Sequence, residues 1–166
     1  MLAAYSTDVW ANLLIAEAGA SAALTGLVFV SVSINLERIL THPALPGRAA
    51  ESLTQLFSVL IIATFCLVPG QSSGILGWEL FLLGGVQWAA LGTVHLQYLK
   101  ANRSDPWHWI GSRIALNQLA SLPVAIAGIS LILQSGGGLY WLVPGMLFSL
   151  IAGVFHAWIL LVEILR

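Results

Sequence analysis

The feature that most constrains this chain is the recurrence of apolar runs along its whole length. Each run has about 20 residues or more, enough to cross a hydrocarbon core of about 30 Å as a helix. Of the 166 residues, 58% are hydrophobic and 8% are charged, against about 25% charged in ordinary globular domains. The sequence therefore predicts an all-α integral membrane protein, with residues 1–166 in a single transmembrane domain.

We predict five transmembrane helices, at about residues 8–35, 50–68, 74–98, 110–133 and 139–165. The links after the second and fourth spans, PGQSSG and QSGGG, contain Gly without any charge, which is typical of tight turns. The other two links contain several charged residues: Glu37, Arg38, Arg48 and Glu51 in the first, and Lys100, Arg103, Asp105 and Arg113 in the third. Five spans therefore place all the charged links on the same side of the membrane.

The basic residues predict the orientation. All six Lys and Arg residues fall on one side of a five-span chain, and they are Arg38, Arg48, Lys100, Arg103, Arg113 and Arg166. By the positive-inside rule this side is cytoplasmic. We therefore expect the N-terminus outside and the C-terminus in the cytoplasm. A chain with four spans would place basic residues on both sides.

Glu17 is an acid inside an apolar run, in the stretch AEAGASAALTG. A rise of about 1.5 Å per residue puts it about 8 Å outward of the midplane. An ionisable group there costs about 2.5 kcal/mol or more if it faces lipid. Steps of three or four residues place further side chains on its helical face, and the resulting stripe is Glu17, Ser21, Thr25, Val28, Val32 and Asn35.

Such a stripe, repeated around a symmetry axis, is one way to line an ion pathway. In that interpretation Glu17 attracts an inorganic cation, Ser21 and Thr25 replace its water, and Val28 and Val32 form the gate. Two other interpretations remain open. Glu17 could hydrogen-bond within one protomer as a packing residue, or it could serve a proton-coupled or ligand-binding role.

Two sets of small residues predict close helix contacts, within or between protomers. The first set lies beside the polar stripe and consists of Ala18, Ala22 and Gly26. The second recurs every four positions in the fifth span and consists of Gly145, Ser149, Gly153 and Ala157.

A second polar group is predicted in the inner half of the spans, where its side chains could converge: His95, Arg113, Asn117 and His156. Two histidines on two helices are a candidate haem or metal site. By residue count, however, their depths differ by several Å. We therefore expect hydrogen bonding between helices, with no metal and no cofactor.

Three segments, AGASAALTGLVFVSVSINLERIL, LPGRAAESL and LVPGQSSGILGWEL, give the chain a family resemblance. Over about its first half, it resembles small multi-span membrane proteins common in actinobacteria, some of which are labelled "modulator of FtsH protease". The resemblance implies a multi-pass protein of the bacterial inner membrane. Its motifs consist of packing residues, so it implies no catalytic site.

The sequence favours an oligomeric membrane protein that forms an ion-permeation path lined by the first helix. One alternative is a non-conducting accessory or regulatory subunit that binds another membrane protein. The other is a haem- or metal-binding membrane protein. The expected partners are the lipid bilayer, further copies of the chain and an inorganic cation. No motif predicts an enzyme or a nucleic-acid-binding protein.

Overall fold

The computed structural model describes residues 2–42, 45–101 and 107–164, and within these ranges it contains helices and no β-strand. The α-helices are α1 (Ala11–Ile34), α2 (Leu36–Thr41), α3 (Leu45–Cys66), α4 (Ser73–Ala101), α5 (Trp107–Leu133) and α6 (Leu142–Ile164). Short 3-10 turns, Asp8–Trp10 and Gly138–Trp141, lead into α1 and α6. Arg103 and Arg166, which contribute to the predicted orientation, lie outside the described residues.

In the part of the chain that the structure describes, five helical segments are long and apolar enough to cross a membrane, as the sequence predicted. They are Asp8–Ile34, Leu45–Cys66, Ser73–Gln97, Arg113–Leu133 and Gly138–Val162. The second begins at residue 45 rather than at about residue 50. Pro46 fits the first turn of α3, where the helix needs no backbone donor. Consequently Arg48 and Glu51 lie inside a candidate membrane span.

Helices α3, α4, α5 and α6 form a four-helix bundle. Each of them packs against two neighbours, in the order α3, α6, α5, α4 and back to α3. Helix α1 lies outside this bundle, mainly against α3 and to a smaller extent against α6. In the most apolar stretch of the first span 11% of the residues are buried, compared with 56% in that of the second span. The interior of the protein is therefore the interior of the bundle.

The bundle has two chemically different ends. We call the end with α2 and the beginnings of α3 and α5 the basic end, and the end with the links 67–72 and 134–137 the turn end. Towards the turn end the core is apolar, with side chains that include Leu14, Val59, Ile62, Leu80, Val124, Leu131 and Met146. Towards the basic end many of the buried side chains are polar. Water-excluding packing thus occupies one half of the interior and polar groups the other.

Glycines allow the closest helix contacts of the bundle. A Cβ atom added to Gly128 of α5 would lie 2.5 Å from the backbone nitrogen of Phe81 in α4. In α6, a Cβ at Gly145 would lie 2.9 Å from Val124, and one at Gly153 would lie 2.6 Å from Leu56. These two residues of the predicted small-residue set therefore make helix contacts within one protomer.

Candidate functional site

Glu51 lies in α3 with 2% of its surface exposed. Arg113 of α5, also buried, donates from Nη2 to both carboxylate oxygens of Glu51, over 2.7 Å each. Hydrogen bonds between ionised groups are shorter and stronger than those between neutral ones. The two side chains form an ion pair in the interior of the bundle.

Two histidines approach the same carboxylate from the other two helices of the bundle. His95 of α4 places Nε2 3.6 Å from Oε1 of Glu51, and His156 of α6 places Nδ1 3.2 Å from Oε2. Both rings are buried. Each bundle helix thus contributes one ionisable side chain, and we call Glu51, His95, Arg113 and His156 the ionic centre.

The two histidines lie closer together in depth than residue counts along the spans predicted. Counting along separate spans placed the two rings several Å apart in depth. Both rings in fact lie beside one carboxylate. A count of this kind assumes that all spans start at the same level and run upright, whereas helix tilt and offset are set by packing between neighbours.

The tautomer of His95 follows from its backbone contact. Nδ1 lies 2.7 Å from the carbonyl oxygen of Leu91, and because a carbonyl only accepts, Nδ1 carries the hydrogen. In the neutral ring Nε2 then has a free lone pair. It faces Oε1 of Glu51, a second acceptor, and has no hydrogen-bond partner among the described residues. Two acceptors therefore face each other at 3.6 Å, a separation longer than a hydrogen bond.

A layer of amides lies next to the ionic centre on the side of the turn end. Gln55 accepts a hydrogen bond from Nε2 of Gln87 over 2.8 Å and donates one to Oδ1 of Asn117 over 3.3 Å. All three side chains are buried. Asn117, predicted to belong to the inner polar group, is therefore bonded to the amide layer. Hydrogen-bonded amides are the usual way to satisfy polar groups between membrane helices.

The ionic centre has a high desolvation cost. Taking a carboxylate and a guanidinium out of water costs several kcal/mol per ion, and their mutual attraction often only balances that cost. Arg48, one turn before Glu51 on α3, adds a third buried charged side chain to this region. Ionisable residues inside membrane spans are therefore candidates for ion or proton pathways. Chemically, the centre can take up and release a proton.

The polar stripe of α1 faces its own protomer. Ser21 is fully buried, whereas Glu17 and Thr25 are half-buried. The hydroxyl of Ser21 donates to the carbonyl of Ala18, and that of Thr25 to the carbonyl of Ser21. Side chains on the opposite face, such as Ile15 and Leu27, are exposed. This arrangement favours packing within one protomer over a shared pore lined by α1.

The remaining residues of the polar stripe also face their own protomer. Val28 lines a small cavity between α1 and α6, and Val32 packs against an apolar cluster that includes Ile39 and Leu160. Asn35 donates to the carbonyl of Ser31 over 2.9 Å. The hydroxyls of Ser21 and Thr25 and the amide of Asn35 are thus bonded to backbone carbonyls of α1, while Val32 packs against other helices of the protomer.

The small residues of α1 differ among themselves in exposure. Ala18 packs against the apolar core, whereas Ala22 and Gly26 are exposed. In α6, Ser149 is fully buried and Ala157 is half-buried. The small residues of α6 therefore face its own protomer, and α1 has an outward small-residue face.

Glu51 is the member of the ionic centre that sequence reasoning placed at the start of a span, beside a loop. A usable signal was present. Arg48, Glu51, Ser52 and Gln55 are spaced by three or four residues, so they share one face of a helix. That pattern predicts a buried polar face as soon as α3 begins at residue 45 instead of residue 50.

Within the described ranges, no group of three or more His, Cys, Asp and Glu side chains is arranged to hold a metal ion. The two histidines of the ionic centre lie close together because both approach the carboxylate of Glu51. Comparison with known protein families, characterised proteins and solved structures gave no match. The fold defines the class, a helical protein with five candidate membrane spans, and the site adds a buried ionic centre.

Proposed function

We propose that the protein conducts protons across the bacterial inner membrane as a homo-oligomer, with the ionic centre as the proton-binding step. Ion permeation, the function that the sequence favours, is retained here, but the ion-binding groups lie inside each protomer instead of on α1. In this proposal the protein is not an enzyme and needs no cofactor.

The observation that carries this proposal is the contact between Nε2 of His95 and Oε1 of Glu51. Two acceptors face each other across 3.6 Å in a water-poor interior. In this proposal a proton taken up on either atom makes the contact attractive, and the two side chains then close from 3.6 Å to hydrogen-bond distance. Release of the proton restores the present separation. Chains of Glu and His side chains are typical of proton relays in membrane proteins.

The proposed path runs from the basic end through polar side chains and meets apolar packing towards the turn end. The apolar core between the amide layer and the turn end includes Val59, Ile62 and Leu80. Hydrophobic constrictions gate channels by excluding water. In this proposal conduction therefore requires this core to admit water.

The positive-inside rule supports a cytoplasmic basic end and an outside turn end. Protons would then reach the ionic centre from the cytoplasm. The outward small-residue face of α1 supports the proposed oligomer, because such faces let membrane helices approach closely. Reporter fusions at both termini test the orientation, and a C-terminus found outside would reverse it.

The experiment that tests the function is proton flux into liposomes containing the purified protein, followed with an internal pH-sensitive dye under a K⁺ diffusion potential. We expect wild-type flux and its loss in Glu51→Gln and in His95→Gln. Glu37→Gln is the matched control, because Glu37 is an exposed carboxylate in α2. Absence of flux from folded wild-type oligomers, or wild-type flux in Glu51→Gln, would contradict the proposal.

A second candidate function is a non-conducting accessory subunit, and one observation favours it. Cβ atoms added to Gly19 and Gly26 of α1 would meet nothing within 4 Å among the described residues. That open face fits a helix of another membrane protein as well as a second copy. Cross-linking through cysteines placed at Gly19 and Gly26 distinguishes the two, since homodimers support the oligomer and a heterologous adduct supports the subunit.

A further inference from the structure

The link before α6 contains three consecutive glycines, and its backbone conformation requires this residue type. Residues 136–138, which we call the glycine turn, have φ angles of 88°, 107° and 55°. Residues with a side chain rarely adopt positive φ angles, whereas glycine adopts them readily. The hydroxyl of Ser130 in α5 accepts a hydrogen bond from the N–H of Gly138 over 2.7 Å and donates one to the carbonyl of Ser135. The glycine turn is therefore held against α5.

The N-terminal segment lies on the glycine turn, and we call its residues 3–10 the strap. The hydroxyl of Tyr5 accepts a hydrogen bond from the backbone N–H of Gly137 over 3.3 Å. Gly138 is buried, and a Cβ atom added to it would collide with the carbonyl oxygen of Ala4. The absence of a side chain at residue 138 therefore lets the backbone of the strap approach the backbone of the turn closely.

The strap covers the apolar core at the turn end. Tyr5 and Trp10 pack against the core that includes Ile62, which the proposed proton path has to cross. Nε1 of Trp10 donates a hydrogen bond to the carbonyl of Ala3 over 2.7 Å, so the two ends of the strap are joined. The ring of Trp10 also packs edge-on against Tyr140, with centroids 4.8 Å apart. Two aromatic side chains thus attach the strap to the bundle.

The other side of the strap is loosely packed. A cavity of about 560 Å³ lies between the strap, the end of α3 with its following link, and the start of α4. Cys66, at the end of α3, lines this cavity and is 2% exposed. Segments with few buried apolar contacts open locally at a low cost in free energy, while the rest of the protein stays folded. The packing of the strap is typical of such a segment.

We propose that the strap is a releasable seal at the turn end of the bundle. When it lies on the glycine turn it keeps water out of the apolar core, and when it is released it admits water. As a gate for protons the seal rests on the proposed proton conduction, because it then controls the end of the path remote from the ionic centre. As a barrier to water it does not depend on conduction, so the two roles are tested separately.

The barrier to water is tested by labelling Cys66, the only cysteine of the chain, with a charged methanethiosulfonate on the full chain in nanodiscs. Labelling through a local opening follows the population of the open form. Gly138→Ala pushes a methyl group against Ala4, and we expect the labelling rate to rise about tenfold. Gly136→Ala is the matched control, because it strains the same turn while its Cβ meets only Ser130, at 3.4 Å, and not the strap.

A milder variant covers the case in which Gly138→Ala does not fold. Tyr5→Phe removes only the hydroxyl that accepts from Gly137, and loss of one such hydrogen bond should raise the labelling rate about threefold. Tyr140→Phe is its control, because it removes the hydroxyl of an exposed tyrosine. Proton flux into liposomes, measured on the same variants, should rise by the same factors if the strap is the gate.

The outcomes separate the seal from the proposed conduction. Unchanged labelling in Tyr5→Phe and in folded Gly138→Ala, or equal acceleration in Gly136→Ala, overturns the seal. Faster labelling with proton flux that stays at the wild-type level overturns its role as a gate. If no variant conducts protons, wild type included, the proposed conduction fails, while the labelling rates still decide whether the strap keeps water out.

Discussion

Glu17 and Glu51 are both carboxylates inside membrane spans, yet their surroundings differ. Glu17 lies half-buried on the peripheral helix α1, and its Oε2 has no hydrogen-bond partner within the described ranges. Glu51 lies in the interior of the four-helix bundle, where Arg113 bonds both of its oxygens and two imidazoles approach it. The two carboxylates therefore differ in the number of helices that surround them, although both occur in apolar sequence.

The comparison teaches that local sequence is a poor guide to the importance of an intramembrane acid. Glu17 is conspicuous because small apolar residues surround it in the chain. Glu51 follows a segment with Pro and Gly and looks like a residue at the end of a loop. Because α3 starts earlier than its composition indicates, Glu51 reaches the interior of the bundle.

The largest effect is expected for Glu51→Gln. The substitution removes the carboxylate that accepts two hydrogen bonds of 2.7 Å from Arg113, and loss of one partner of a buried ion pair lowers stability by about 3–5 kcal/mol. The free energy of unfolding in bicelles, measured by steric trapping, checks this value. Glu51→Gln combined with Arg113→Gln should recover part of the loss, and a double variant that loses the sum of both single effects would show that the pair is not coupled.

The second-largest effect is expected for glycine substitutions, which should differ between the four-helix bundle and the peripheral helix α1. Gly128→Ala forces a methyl group against the backbone of Phe81, and overpacking of this kind costs about 1–3 kcal/mol. Gly19→Ala, on the open face of α1, should be neutral or gain up to about 1 kcal/mol of helix propensity. Thermal unfolding of the two variants in the same detergent provides the comparison, and equal midpoints would contradict the assignment of α4–α5 as the tighter contact.

The amide layer should show an intermediate effect. Gln55→Leu deprives both Gln87 and Asn117 of a hydrogen-bond partner, and unsatisfied buried groups cost about 1–3 kcal/mol. We expect a loss near the lower end of this range, because amides between membrane helices find other partners. Gln97→Leu, at an exposed position of α4, is the control. If Gln97→Leu lost as much stability as Gln55→Leu, the amide layer would contribute no more to stability than an exposed amide does.

The smallest effect is expected for Glu17→Gln. The amide keeps the shape and the acceptor oxygen of Glu17, so the unfolding free energy should change by about 0.5 kcal/mol or less, as for most substitutions away from buried networks. Proton flux should also stay at the wild-type level. Loss of flux in this variant with retention in Glu51→Gln would return the pathway to the polar stripe of α1.

The sequence by itself determined that the chain is helical and has five membrane-length segments. Helix length and apolar composition are local properties, and the cost of unpaired backbone groups in lipid leaves few other structures. The same reasoning grouped His95, Arg113 and His156 in one half of the membrane, because depth follows approximately from residue number.

Only the tertiary structure decided which of these polar residues meet. The packing of α3 with α4, α5 and α6 brought Glu51 into contact with Arg113 and both histidines. It also turned the stripe of α1 towards its own protomer. The rotation and offset of each helix depend on close contacts such as that of Gly153 with Leu56. The spacing of small residues predicts that Gly153 makes a close contact, but its partner lies far away in the chain and no local pattern identifies it.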